Sequence, residues 1–545
     1  MSGRDRIAVC FDEDAIDTVF AEVAGSHLPG AAVGIAIGGH PVYRKGFGLA
    51  SIELPVALSP TIRMRIGSVT KHMTALAFMV LCEDGKADLD DPVGKYFPEF
   101  HPASQAATFR QLMGNTSGLR DALDLCLSFS GFGRAATTNE LVSLHRDISD
   151  VNAPPAKTWI YSNGGWQIVT SAIERISGQS FEDSIYERVF EPIGMYQSAV
   201  RRTDRHLLPN SASAHMTDLE GRFQRNDDLN IFTTELAGDG GVVSTVDDML
   251  LWLRNMDKKL VGTEKSWQLI TTSQRLTNGT PTHYGLGLVT GRYRGLDILY
   301  HAGGGTGTNA HLVTVPSAQV DVVCMVNNHN LSAEVFVSRI LEHCFSQRPC
   351  PTRSVEGRTP AGVFLSPSTG RVVELRAETN AYWMKQEELR RGEVIASVDG
   401  MDAKFASHPD GVLRSFGLSA YGPQSITVVG DRSAPTAIRF DDYGTVDELV
   451  AIGSVGNPRI DSIFGTYEAQ SVPVRATIEE KQVGIELATV GPFGSTSYTL
   501  EQLGEDVWRA ASRALAHRVA ILTFDATGFR YSNWHTRGLQ FRRMR

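Results

Sequence analysis

Ser68-Val69-Thr70-Lys71 places a hydroxyl and an amine three residues apart. On a helix, positions i and i+3 share a face, so the lysine nitrogen can reach the serine oxygen. A neutral amine there could take the hydroxyl proton and leave an alkoxide-like nucleophile. Burial among apolar residues, or a nearby cation, would lower the lysine pKa toward that task. If Ser68 opens the helix, its own N–H is also placed for a developing oxyanion. Lys71 is the only lysine in the chain with a serine three residues before it.

Tyr161-Ser162-Asn163 is the second group. A phenol beside a cationic lysine can relay protons. The Asn163 amide can hold the lysine or a substrate carbonyl. The tripeptide recurs as Tyr531-Ser532-Asn533 in a strand-like region, and that copy is read as structural. His301-Ala302-Gly303 is the third group, running into Gly304-Gly305. Glycines at the end of a strand let a substrate backbone lie close, and an N–H there can complete an oxyanion hole. His283-Tyr284-Gly285 has the same spacing but no glycine run directly after it.

Elements must position these groups. Residues 31–50 read as two strands turning at Gly38-Gly39-His40-Pro41. From Lys71 to Asp84 the chain is almost continuously apolar and stops at Gly85, the pattern of a buried helix. Ile168, Val169, Ala172, Ile173 and Ile176 keep helical spacing up to Gly178. Leu296 to Tyr300 and Val320 to Val326 read as strands. Together they predict a domain of antiparallel sheet and helices over residues 1–345. A polar, proline-rich linker is expected at 346–361. Short alternating strands follow, in blocks opening at Gly362-Val363-Phe364 and Phe464-Gly465-Thr466-Tyr467. Each block suits an antiparallel eight-stranded barrel, 362–456 and 457–545.

Composition narrows the function. The chain has 545 residues, is 42% hydrophobic and 21% charged, and carries a net charge of -9. That is a globular composition, and it gives no support to nucleic acid or an anionic membrane as a partner. No apolar run approaches the roughly 18 residues of a membrane span. The N-terminus has no signal-peptide pattern. The six cysteines show no CxxC pair and no disulfide framework, which predicts reduced thiols in a cytoplasmic protein. HExxH is absent, so no metal site is expected, and a serine–lysine mechanism needs no cofactor.

The order SxxK, YxN, HxG resembles the penicillin-recognising serine hydrolases: class C β-lactamases, low-molecular-weight penicillin-binding proteins and the esterases and peptidases built like them. Arg65-Ile66-Gly67 before Ser68, Asn115-Thr116-Ser117-Gly118-Leu119, Pro192-Ile193-Gly194-Met195 and Gly240-Gly241-Val242-Val243-Ser244-Thr245 are similar to that family's landmarks. Two positions depart from it. Asn115 stands where the family often has histidine, and His301 where many β-lactamases have lysine. A histidine supplies less fixed positive charge for a substrate carboxylate.

The two trailing barrels make the layout similar to the branch of this family that releases N-terminal D-amino acids, D-alanine above all. The resemblance implies Ser68, Lys71 and Tyr161 as the catalytic group, with Asn163, His301, Gly303 and Gly304 binding substrate. It implies a peptide or amino-acid amide substrate with a free amine, a homodimer, and a loop of the last barrel reaching the cleft with an acid for that amine. The matching stretch is 489–508, where Glu501, Glu505 and Asp506 are candidates and Asp506 lies nearest the expected place. All three also suit solvated turn charges. The alternatives are an esterase, a β-lactamase or a D,D-carboxypeptidase on the same scaffold, and a non-catalytic binding protein.

Overall fold

A computed structural model describes residues 7–545 except 26, 132–134, 218–220, 225–233, 350–358, 377–392, 419–423, 454–461, 483 and 513–518. Most of the expected linker, Cys350 included, lies outside the described residues.

The first unit is built on a six-stranded antiparallel sheet. Its order is Val289–Tyr293, Leu296–Gly305, Thr308–Val315, Val320–Val326, Ala31–Ile37 and His40–Phe47. The expected hairpin turns at Gly38-Gly39. Strand alternation then splits the core in two. Ala31, Val33 and Ile35 face one apolar cluster, closed by the Ala333–Cys344 helix, while Ala32 and Ala36 face the other. That second cluster is the larger, and the Thr70–Glu83 helix runs through it. From Thr70 to Met79 every residue of this helix is buried, as its apolar-all-round sequence requires.

Two closed antiparallel barrels of eight strands follow, Gly362 to Ala451 and Gly465 to Arg543. The two blocks expected from the sequence open alike. Gly362 and Gly465 have φ of +144° and +146°, and Phe364 and Tyr467, two residues on, are buried inside their barrels. The interior of the second barrel is continuous with the first unit. Phe129, at the end of the Ala122–Ser130 helix, packs on Tyr531 and Phe541 with ring centroids 4.8 and 5.7 Å apart. The Tyr498 hydroxyl donates to the Ser128 carbonyl at 2.5 Å. The first barrel docks through Tyr443, stacked on Trp159 at 4.4 Å. The barrels meet each other at Val372, Val507 and Ile521. Among the described residues no helix is long and apolar enough to cross a membrane.

Candidate active site

Ser68 sits in the single 3-10 turn Gly67–Val69 that leads into the Thr70–Glu83 helix. Lys71 is fully buried one turn on, and its Nζ lies within hydrogen-bond distance of three oxygens. They are Ser68 Oγ at 3.0 Å, Asn163 Oδ1 at 2.8 Å and the Asp239 main-chain carbonyl at 2.6 Å. The Tyr161 ring centroid lies 4.9 Å from the same nitrogen. Burial pulls the lysine pKa down from 10.5 to about 7, against the opposing pull of Asp239 and Asp121. Asp239 is itself buried, and burial raises its carboxyl pKa. The structure thus brings Ser68, Lys71, Tyr161 and Asn163 together.

The Tyr161 segment is held from several sides. Asn115, left-handed at φ +56°, accepts from Ile160 N at 2.9 Å through its carbonyl and from Ser162 N at 3.3 Å through its side chain. Asparagine tolerates that conformation better than most residues. Asp121 Oδ2 and Oδ1 accept from Asn163 N and Gly164 N at 2.7 and 2.9 Å, capping the Asn163–Ser177 helix.

Gly303 and Gly304 line the other side. The Val289–Tyr293 strand covers Leu296–Tyr300 and no more, so beyond it the Gly67–Ser68 turn lies against the strand edge. The approach is too close for a side chain. A Cβ on Gly303 would stand 1.9 Å from Ile66 O and 2.9 Å from Ser68 N. A Cβ on Gly67, at φ +53°, would stand 2.7 Å from Gly304 N. A Cβ on Gly304 meets nothing within 4 Å, so its face is open beside Ser68.

His301 behaves differently from the expectation of a substrate contact. It is fully buried, and its two nitrogens are engaged within the protein. Nδ1 donates to the Ala302 carbonyl at 2.5 Å, and the Tyr284 hydroxyl lies 3.0 Å from Nε2. A proton on Nδ1 leaves Nε2 as acceptor, so the phenol donates. Burial, with Lys71 nearby, pushes the imidazole pKa well below 6.5 and keeps it neutral. Tyr284 belongs to the HxG triplet set aside in the sequence.

Asp506 is not brought to this group. It is exposed in a turn whose next residue, Val507, packs into the seam between the barrels, and its main-chain carbonyl accepts from Phe524 N at 2.8 Å. Glu501 pairs with Arg509 at 2.6 Å. The 489–508 stretch does touch the first unit at its Gly491–Gly494 turn, where Phe493 N donates to Ser130 Oγ at 3.2 Å. The barrel segment at Tyr161 is Asn533–Gly538. The Nδ1–H of His535 donates to the Tyr161 carbonyl at 2.8 Å. This loop begins on the second Tyr-Ser-Asn. Tyr531 is structural, as expected, whereas Asn533 starts the contact. His535, Asp121, Asp239 and Tyr284 were not singled out for the site from the sequence. The Asp121 position, two residues after the Asn115–Leu119 landmark, was the one signal available.

A model of the family described as Beta-lactamase matches residues 16–341. The chain belongs to that family. Across the whole length, the β-lactamase-family chain is 25% identical to a D-aminopeptidase of Gluconobacter oxydans, covering 98% of both. It is 26% identical to a D-aminopeptidase of Cereibacter sphaeroides, covering 92% of both. Among solved structures, a penicillin-binding protein homologue from Pyrococcus abyssi superposes with a TM-score of 0.56 at 20% identity, over 81% of this chain and 100% of that one. A D-amino acid amidase from Ochrobactrum anthropi gives 0.52 at 21%, over 62% and 99%. These two share the β-lactamase-family fold.

Proposed function

We propose that the chain is a serine aminopeptidase that releases N-terminal D-amino acids, D-alanine above all, from short peptides, amides and esters. Relatives named D-aminopeptidase match it end to end, both barrels included. The observation that carries the chemistry is the set of partners around Lys71. An ammonium has three N–H groups; the neutral amine has two and a lone pair. Asn163 Oδ1 and the Asp239 carbonyl can only accept, so they take those two. The lone pair is left for the Ser68 hydroxyl at 3.0 Å. Burial lowers the lysine pKa from 10.5 to about 7, which makes the neutral amine accessible near neutral pH. Lys71 is therefore the base in this reading.

Ser68 Oγ attacks the amide carbonyl after the first residue. The oxyanion is held by the main-chain N–H groups of Ser68 and Gly304. The Tyr161 phenol passes a proton to the leaving amine as the C–N bond breaks, and the Lys71 ammonium returns the serine's proton to the phenolate. Water then attacks the D-aminoacyl ester of Ser68; Lys71 takes the water's proton and gives it to Ser68 Oγ as the ester bond breaks and the D-amino acid leaves. Neutral His301 carries no charge to attract a substrate carboxylate, which favours an aminopeptidase over a D,D-carboxypeptidase. Six cysteines in 545 residues, with no CxxC pair, make no disulfide framework and suit a cytoplasmic enzyme.

The test is hydrolysis of D-alanine p-nitroanilide, its L-isomer and its N-acetyl derivative. The D-amine is expected to react at least about 100-fold faster than either. Equal rates on the acetylated compound would overturn the requirement for a free amine.

A further inference from the structure

The Asn533–Gly538 loop arrives at Tyr161 already tied down by several hydrogen bonds. Asn533 Nδ2 donates to Asp124 Oδ2 at 3.1 Å, and the Thr536 hydroxyl donates to the same oxygen at 2.9 Å. Arg537 N donates to Asn152 Oδ1 at 3.0 Å, its guanidinium reaches Asp442 of the first barrel at 3.1 Å, and its carbonyl accepts from Arg120 at 2.8 Å. The His535 carbonyl accepts from Asn152 Nδ2 at 2.8 Å. None of these contacts uses the His535 ring. The ring makes a different one, to the Tyr161 carbonyl at 2.8 Å, with the two rings 6.0 Å apart. Asp121 Oδ2 lies 3.8 Å from the same Nδ1, too far for a hydrogen bond.

That carbonyl sits between two fixed points. Before it, Ile160 N is held by Asn115; after it, Asn163 N and Gly164 N are held by Asp121. His535 closes the remaining freedom of the Tyr161 peptide, whose ring must stay beside Lys71 Nζ. We propose that His535 is a positioning residue: through the Tyr161 carbonyl, the second barrel sets the phenol over the Ser68–Lys71 pair. The inference rests on the reading that Tyr161 transfers a proton. A misplacement of about 1 Å at such a group costs on the order of 100-fold in rate.

Two near-isosteric variants in the full-length chain separate positioning from packing. In His535→Asn the side-chain amide N–H stands where Nδ1–H stands. In His535→Gln it stands where Nε2 stands and misses the carbonyl. His535→Asn should keep kcat within about 3-fold of the native protein. His535→Gln should lose about 10- to 100-fold in kcat and in the acylation burst with KM little changed. Equal kcat in both variants, high or low, overturns the inference. Tyr161→Phe serves as the control: if it keeps full kcat, the role given to Tyr161 falls. If it is impaired while His535→Gln is not, the positioning role alone falls.

Discussion

The main-chain carbonyl of Asp239 accepts a hydrogen bond from Lys71 Nζ at 2.6 Å, inside a site where the lysine is fully buried. The pair sets the pH behaviour. Burial lowers the lysine pKa to about 7, while the Asp239 charge pulls the other way. Protonated lysine cannot act as base, so kcat/KM should rise with pH through about 7 and then level off. Asp239→Asn removes the opposing charge and should move that limb to lower pH, by roughly one unit. A limb that stays in place would separate Asp239 from the lysine. Stability carries the same sign. Between about 7 and 10.5 the unfolded chain holds the Lys71 proton and the folded chain does not, so folding gains as pH rises across that window. Urea titrations of Lys71→Met against the native protein should show that dependence removed.

Gly303→Ala should abolish activity with less effect on the fold. The new methyl would stand 1.9 Å from Ile66 O and 2.9 Å from Ser68 N, so the nucleophile turn must shift. A loss of roughly 100-fold or more in kcat/KM is expected, with near-native circular dichroism. The neighbouring Gly304→Ala meets open space and should keep folding stability while weakening substrate binding. Equal activity in both variants would contradict the close packing of the strand edge on Ser68.

Tyr284→Phe leaves the buried Nε2 of His301 without its donor. That should cost about 1–3 kcal/mol, read as a lower urea midpoint with an unchanged slope. Because His301 is already neutral, the pH profile of kcat/KM should not move. A shifted profile would mean that the imidazole titrates in the working range.

Phe129→Ala tests the joint between the catalytic unit and the second barrel. The ring fills the barrel interior beside Tyr531 and Phe541, and its removal should cost about 3–5 kcal/mol. Activity at low temperature should fall as well, since the same helix carries Asp124, which anchors the Asn533–Gly538 loop. Full activity in a destabilised variant would make the barrel a structural appendage.

Much of this was legible in the sequence wherever the signal is local. The hairpin at Gly38-Gly39, the buried helix after Ser68 and the matched openings at Gly362 and Gly465 each follow from a period or a turn residue within a few positions. Ser68 and Lys71 meet because helix geometry makes them meet. Tyr161 and Asn163 join them only through the fold, and the motif order pointed there. The barrel contact was not legible. A barrel presents its turns at two rims, and which turn faces the cleft depends on how Phe129 seats in its interior. Asp506 and His535 both lie in turns of the same barrel, but one borders the seam with the other barrel and the other touches Tyr161. Tyr284 was passed over for a related reason: its triplet matched a motif, while its use is to hold the histidine of another.

The central claim is that Ser68 carries the D-aminoacyl group. The most direct measurement is peptide-level mass spectrometry of the protein quenched during turnover of D-alanine methyl ester. One alanyl group should appear on the peptide that contains Ser68, and none in Ser68→Ala, whose turnover should be at least about 10,000-fold lower. An unmodified Ser68 together with surviving turnover in Ser68→Ala would contradict the account.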